Sequence, residues 1–448
     1  MRVSLSVYFE IRDNASIGNY DYIDNSLNAF QSVTKPIVNF YDDQDYYVNL
    51  FEYIKKWKKS LNSGNTPLIT HLNYINDAHK LIVKEQQLES FNVTKRTIEV
   101  NSTLNCKKQD YQSFLTSSIR QKPARIVDLI LISYELVVVE MRLFELYDIV
   151  DEIIIFETNI TFKQVGKPFF FLSNLKRYQR FLEKIVLITP FNITRFNSKD
   201  LTIKSQINIT SEDIPNEYKV SQIAPEFAFN KQSNQFFKID FTIEERARMM
   251  PFKLYEKYVR KLDDDELVIH GDIDEMPNSD IINHFKYCQV IDAKYPFQFW
   301  STFYIYGFNY LFKADFNAPG DPWSNAYPNL FRAQDIRRIG KLRVNKAFLL
   351  PRASGCHCNR FFSGFTISLY KDMSQSDSEG LESFHSTIIQ NSTIEACYDI
   401  KRKFSSGLVY EKYLSRMKLN KNLSEYEKIF IPWIVLANKH VYKQYINS

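Results

Sequence analysis

The chain has 448 residues, 44% of them hydrophobic and 24% charged, and a formal net charge of +5. This length predicts one large domain with an appendage, or two domains, and the apolar content predicts a substantial core. With only 11 glycines, collagen-like and low-complexity chains are excluded. The basic excess is spread thinly, which argues against a nucleic-acid-binding protein. Its densest cluster, YIKKWKKS at 53–60, lies among apolar positions at helical spacing (Leu50, Phe51, Ile54, Trp57, Leu61), so its lysines read as one solvated helix face.

Residues 1–118 are rich in Tyr, Asn, Asp and Ser, with scattered helical periodicity at 46–61 and 79–90 and a breaker, NSGNTP, at 62–67. They carry no chemical motif and read as an N-terminal extension. The first residues, MRVSLSVYFEIRDNAS, lack an apolar core of signal-peptide length, and nowhere do 18 uncharged apolar residues run together. The expectation is a chain with no membrane span. The five cysteines (Cys106, Cys288, Cys356, Cys358, Cys397) are too few for a disulfide scaffold, and the Cys356–Cys358 spacing is not that of a zinc site. Eight N-x-S/T sequons, at Asn14, Asn92, Asn101, Asn159, Asn192, Asn208, Asn391 and Asn422, permit a secretory compartment without establishing it.

At Arg125 the texture changes. RIVDLILIS (125–133) reads as a buried strand, and YELVVVEMRLFELYDIV as a helix with Leu136, Val139, Leu143 and Leu146 at helical spacing. EIIIFET (152–158) is a second strand, GKPFFF (166–171) a turn, SNLKRYQRFLEK a second helix and IVLI (185–188) a third strand. This alternation predicts a parallel sheet covered by helices, with ligands beyond the C-terminal strand ends, where Ser133–Glu135 and Glu157–Asn159 fall. Residues from about 189 to 240 are polar and irregular and read as a long insertion. FTIEERARMMPFKLYEKYVRKL (241–262) is mostly helical, with Pro251 expected to kink or split it.

ELVIHGDIDEMP (266–277) is the organising stretch. A short apolar strand ends in Asp272, Asp274 and Glu275, and Pro277 prevents a smooth continuation. In an extended segment residues i and i+2 point the same way, so Asp272 and Asp274 are expected to converge on one point. Two hard carboxylates at a sheet edge suit Mg²⁺ or Mn²⁺, which can hold a diphosphate; the bland alternative is a solvated acidic turn. YPFQFWSTFYIYGFNYLF (295–312) reads as a pair of core strands, with sugar stacking as its functional alternative.

Taken together, these stretches resemble glycosyltransferase family 17, whose best-known members are the bisecting β-1,4-N-acetylglucosaminyltransferases of N-glycans. ELVVVEMRLFELYDIVDEIIIFETNITFKQVGKP is similar to the family's "E-(L/F)-D-L-L-(E/D)-x-R-(L/F)-x-E-L-x-D-V-V-D… E-S-N-x-T… G-x-P". DDDELVIHGDIDEMP resembles "D-D-x-(V/I)-I-I-x-D-x-D-E-I-P". SGCHCNRFFSGF resembles a later "G-W-H" segment, and PWIVLANKHVY the closing "P-x-Y-L-L-x-N-x-x-x-(F/Y)". The four matches run in order from about 125 to 442.

The resemblance implies an α/β, GT-A-like nucleotide-sugar-binding fold with a mostly parallel central sheet. Its catalytic domain would span 119–448, after the 1–118 extension and including the 189–240 insertion. It implies transfer of N-acetylglucosamine from UDP-GlcNAc to a mannose of an N-linked glycan, inverting and metal-dependent, with Asp272, Asp274 and His357 around Mn²⁺ (or Mg²⁺). Glu275 stands beside them as an acidic neighbour. Glu135, Glu157 and Asn159 match the first segment and are expected near the nucleotide, as is Arg246 on the helix before the DIDE strand. Arg142 and Glu145 also match, with an i,i+3 ion pair as their simple reading. The catalytic base is open between Glu275, Asp315, Asp321 and Glu379. Gly271 departs from the family's acid or serine before the DxD, and Cys356 from its tryptophan, which would suit sugar stacking. A Golgi or secretory location is implied by the family, and a cytoplasmic one by the absence of a visible export signal. The alternatives are a transferase outside N-glycan processing and a non-catalytic glycan-binding homologue.

Overall fold

The computed structural model describes residues 106–159, 169–214, 229–230, 235–236, 241–305, 307–312, 328–344, 347–359, 417–419, 430–439 and 441–442. Residues 1–105, the 62–67 breaker, the GKP turn, Asp315, Asp321, Glu379 and the sequons at 14, 92, 101, 391 and 422 lie outside them.

After a short strand β1 (Leu115–Ile119), the sequence enters the predicted alternation: β2 (Ile126–Ile132), helix α1 (Leu136–Leu146), β3 (Glu152–Glu157), a 3-10 segment (Leu172–Lys184) bent at Asn174, and β4 (Ile185–Ile188). β2 pairs in parallel with β3, and β3 with β4. Alternate residues of β2 and β3 serve two different cores. Ile126, Ile130, Ile153 and Ile155 pack on the α1 side, whereas Val127, Leu129, Ile154 and Phe156 pack on the opposite side. The period of two thus produces three layers, with the sheet in the middle.

The polar stretch expected to be one long loop begins instead with two further strands, β5 (Asn192–Phe196) and β6 (Ile203–Asn208), which extend the sheet antiparallel from β4. As an outer strand β6 is largely exposed, so its sequence lacks the apolar run that marks an inner strand. A two-residue pairing of β7 (Phe229–Asn230) with β8 (Gln235–Phe236) follows. Helix α2 (Phe241–Tyr258) continues through Pro251 as one helix, contrary to the expected split. Its residues Ala247, Phe252 and Tyr255 cover the second core, and this packing outweighs the one lost backbone donor.

The remaining elements are β9 (Leu267–Asp272), β10 (Glu275–Pro277), α3 (Ser279–Tyr287), β11 (Cys288–Val290), β12 (Phe297–Ile305), β13 (Gly307–Phe312), β14 (Asn329–Arg332), α4 (Ala333–Ile339), β15 (Phe348–Asn359), β16 (Met417–Leu419) and α5 (Trp433–Ala437). The aromatic stretch forms the expected strand pair, β12 and β13. The main sheet has twelve strands among the described residues, in the order β10-β15-β12-β14-β9-β2-β3-β4-β5-β6, with β13 on β12 and β16 on β13. It is mixed rather than mostly parallel: β9 is parallel to β2 but antiparallel to β14, and β12 is parallel to β15. No helix among the described residues is long and apolar enough to cross a membrane.

The described residues before β2 are tied to the rest of the chain. β1 pairs with β11, and Cys106 is disulfide-bonded to Cys288 across 182 positions. The sequence left this pairing open. Closing so long a loop restricts the unfolded chain strongly, so replacing both cysteines by serine is expected to cost about 2–5 kcal/mol of stability. Urea unfolding of the variant beside the wild type checks this; coincident midpoints would show that the bond adds nothing.

Candidate functional site

The DIDE stretch is not one extended segment. β9 ends at Asp272, Ile273 and Asp274 form a turn, and β10 starts at Glu275. The i,i+2 argument therefore fails, and Asp272 and Asp274 have different partners. β10 pairs antiparallel with β15 so that Glu275 faces His357, Met276 faces Cys356 and Pro277 faces Gly355. The Cys358 N–H donates to the Asp274 carbonyl at 2.6 Å and fastens the turn itself. Gly271 has a steric cause: a Cβ there would meet the Pro328 Cβ at 2.9 Å and the Glu275 carboxylate at 3.1 Å. Cys356 is fully buried, so in this chain that position faces the core rather than a sugar.

Arg142 fixes the turn from beneath. It is fully buried and forks onto Asp128, donating from Nε at 3.0 Å and from Nη2 at 2.7 Å. Its Nη1 donates to the backbone carbonyls of Asp272 (3.1 Å) and Glu275 (2.6 Å), on either side of the turn. It does not pair with Glu145. That carboxylate accepts from the Ser279 N–H and hydroxyl and from the Trp433 N–H, so it joins α1 to α3 and to α5. Three of the four stretches that carry the family resemblance are thus held together through two residues of one helix.

Asp272 lies between two guanidiniums. Arg248 donates to both of its oxygens, Nε at 3.1 Å and Nη2 at 2.9 Å, and Arg343 donates from Nη2 at 2.7 Å. Burial alone would raise the Asp272 carboxyl, but Arg248 and Arg343 hold it well below the usual carboxylate range. Glu275 is buried and accepts from the Asp272 N–H (3.0 Å) and from Arg343 (2.5 Å); burial pushes its carboxyl up to about 7. Both of its oxygens are engaged, a geometry that suits holding the turn rather than deprotonating an acceptor. Asp274 meets His357 instead, Oδ2 to Nε2 at 3.5 Å, with the Phe303 ring edge-on to the imidazole.

The expected metal residues therefore divide. Among the described residues no three of His, Cys, Asp and Glu gather into a metal-holding group. Asp274 and His357 fit as a pair, since a carboxylate oxygen and an imidazole nitrogen 3.5 Å apart can share one cation and leave positions for diphosphate oxygens. His357 Nδ1 is buried without a hydrogen-bond partner among the described residues, and Nε2 is the ring nitrogen that faces Asp274. Asp272, committed to two arginines, does not fit.

Of the nucleotide candidates, Glu135 and Glu157 lie at the C-terminal ends of the adjacent parallel strands β2 and β3. Glu135 is buried at the start of α1 and accepts from the Tyr134 N–H at 3.0 Å. Glu157 is fully buried and accepts from the Phe171 and Leu172 N–H groups at 2.7 and 3.1 Å, which caps the 3-10 segment. The Asn159 side-chain oxygen is buried with no hydrogen-bond partner among the described residues. Arg246 is exposed on α2, and the arginine that reaches the site is Arg248, two residues on. A helical reading holds the signal for it: Arg248, Phe252 and Tyr255 share one face at i, i+4, i+7. Arg343 carries no such signal, being 71 positions from Asp272.

Two outcomes follow. Arg142→Met leaves the buried Asp128 carboxylate unpaired and is expected to cost about 3–5 kcal/mol. Adding Asp128→Leu should restore much of the stability, read by urea unfolding, without restoring the two donors to the turn. His270, one strand position before Gly271, is fully buried with Nδ1 3.2 Å from the Leu129 carbonyl, and burial pushes its pKa down to about 3. The unfolded chain therefore binds this proton first. His270 contributes stability that is complete above about pH 6.5 and is lost as pH falls towards 3. His270→Gln should flatten the fall of the unfolding midpoint over that window; an unchanged slope would exclude His270 as the cause.

Residues 89–206 match the model of Glycosyltransferase family 17, while no curated protein and no solved structure gives a match. The matched stretch contains β2, α1 and β3, with Arg142, Glu145, Glu135, Glu157 and Asn159, and ends before the DIDE turn. The family so matched is the one that the motifs resemble: residues 89–206 match glycosyltransferase family 17, and this match supports a glycosyltransferase.

Proposed function

We propose that the protein transfers N-acetylglucosamine from UDP-GlcNAc to a mannose hydroxyl of an N-linked glycan, with inversion and with the help of a divalent cation, Mn²⁺ or Mg²⁺. The observation that carries this reading is the DIDE turn. It brings the Asp274–His357 pair and two guanidiniums to the C-terminal end of β9, a strand parallel to β2 in an α/β sheet. Ligands of open α/β sheets bind at such strand ends.

In this reading the acceptor oxygen attacks the anomeric carbon of the donor as the bond to the diphosphate breaks. The acceptor proton passes to a carboxylate and UDP departs. Asp274 and His357 would hold the cation, which would supply positive charge to the departing diphosphate. The chain's own residues keep that site in shape: Arg142 fixes both ends of the turn, and the β10–β15 ladder sets Asp274 against His357. Glu275, hydrogen-bonded through both oxygens, is a positioning residue here. The Cys106–Cys288 disulfide supports an oxidising, secretory location over a cytoplasmic one.

The test is UDP release from UDP-GlcNAc with Mn²⁺, with and without a biantennary N-glycan. Release should be stimulated by the glycan and fall on the order of a hundredfold or more in Asp274→Ala. Release indifferent to the glycan would remove the acceptor from this reading, and full release by Asp274→Ala would remove the metal pair.

A further inference from the structure

We propose that Arg343, backed by Arg248, is an anion clamp for the diphosphate of the donor, and that Asp272 serves as the counter-ion that holds both guanidiniums ready rather than as a metal ligand. The proposal rests on the donor being a nucleoside-diphosphate sugar.

The argument starts from how the donors are used. Arg248 is nine-tenths buried and points both Nε and Nη2 at Asp272. Arg343 is more open, and a single nitrogen, Nη2, serves both Asp272 and Glu275. Its Nε is buried and has no hydrogen-bond partner among the described residues. A buried N–H on a charged group is costly to leave unpaired, and an anion is the partner its chemistry calls for. A planar guanidinium suits phosphate oxygens because it presents its donors as a fixed fork.

The chain holds Arg343 in place for this. Helix α4 ends at Gly340 in the left-handed conformation (φ +71°), whose N–H closes on the Ile336 carbonyl at 2.8 Å. That reversal turns the chain back towards the sheet. Leu342 is then buried in the core under α2, and Arg343 next to it reaches Asp272. Arg343 is about one-quarter exposed and Asp272 about one-third, so the cluster is open at Arg343 and closed at Arg248. The Asp274–His357 pair belongs to the same turn, which allows one diphosphate to meet both the clamp and the cation position.

Binding is measured by calorimetry on the full chain with three probes, UDP, uridine and inorganic pyrophosphate, each in EDTA and again with Mn²⁺. Thermal unfolding of the unliganded variants checks folding. The expected result is that Arg343→Ala weakens UDP and pyrophosphate about tenfold or more in both conditions and leaves uridine unchanged. Arg343→Lys should recover little of this, because an ammonium lacks the fork. Asp272→Asn should weaken UDP less than Arg343→Ala and leave the Mn²⁺ enhancement intact, whereas Asp274→Ala should abolish that enhancement. UDP binding by Arg343→Ala and Arg343→Lys equal to wild type, or loss of the Mn²⁺ enhancement in Asp272→Asn, would overturn the clamp and leave the donor reading standing. Pyrophosphate binding that needs Arg343, with no binding of UDP, would keep the clamp and overturn the donor. An equal loss of UDP and uridine in Arg343→Ala would show a structural role and overturn the clamp.

Discussion

The site depends on one buried guanidinium. Arg142 is closed off from water and neutralised by Asp128, so its cost in the core is met by a two-bonded ion pair. Its remaining nitrogen is then the only part free to act, and it acts on backbone, not on side chains: the carbonyls before and after the turn. A turn held by its carbonyls leaves the carboxylates above it available. Asp272 can therefore organise two arginines while Asp274 turns to His357. A buried ion pair adds little net stability by itself. Its value here is geometric, since it specifies where a sharp break in β9 occurs.

The same economy runs through the first family segment. Carboxylates that match the family segment serve backbone N–H groups: Glu157 at the 3-10 segment, Glu145 at Ser279 and Trp433, Glu135 at Tyr134. Buried backbone donors need acceptors as firmly as substrates do. The segment between 89 and 206 thus builds the platform, and the groups with open chemistry arrive later in the chain, on α2, the DIDE turn, the loop after α4, and β15.

Much of this was legible where burial writes itself into composition. β2, β3, β4 and β9 are apolar runs of strand length, and α1 has its apolar residues at helical spacing, so the layered α/β core could be read directly. β6 could not, because as the outer strand it is largely exposed and looks like loop, and β5, between β4 and β6, mixes Asn, Thr and Arg with its two apolar residues. The DIDE stretch could be read as extended or as an acidic turn; the turn is what forms, and Arg142, 130 positions away, holds it. Arg343 and the Cys106–Cys288 bond are likewise products of tertiary approach. Arg246 is exposed while Arg248 meets Asp272; helix phase separates the two, and phase was readable.

The disulfide has a further consequence for how the site is made. It closes a covalent ring from Cys106 to Cys288, which contains Arg142, Arg248, Asp272 and Asp274. Arg343 and His357 lie outside that ring, later in the chain. Synthesis proceeds from the N-terminus, so both cysteines emerge before the clamp arginine and the imidazole do. The ring can be sealed around half a site, and the second half then docks onto a covalently finished platform. Maturation of this protein would accordingly have an oxidative stage and a later, purely conformational one, with activity appearing only at the second.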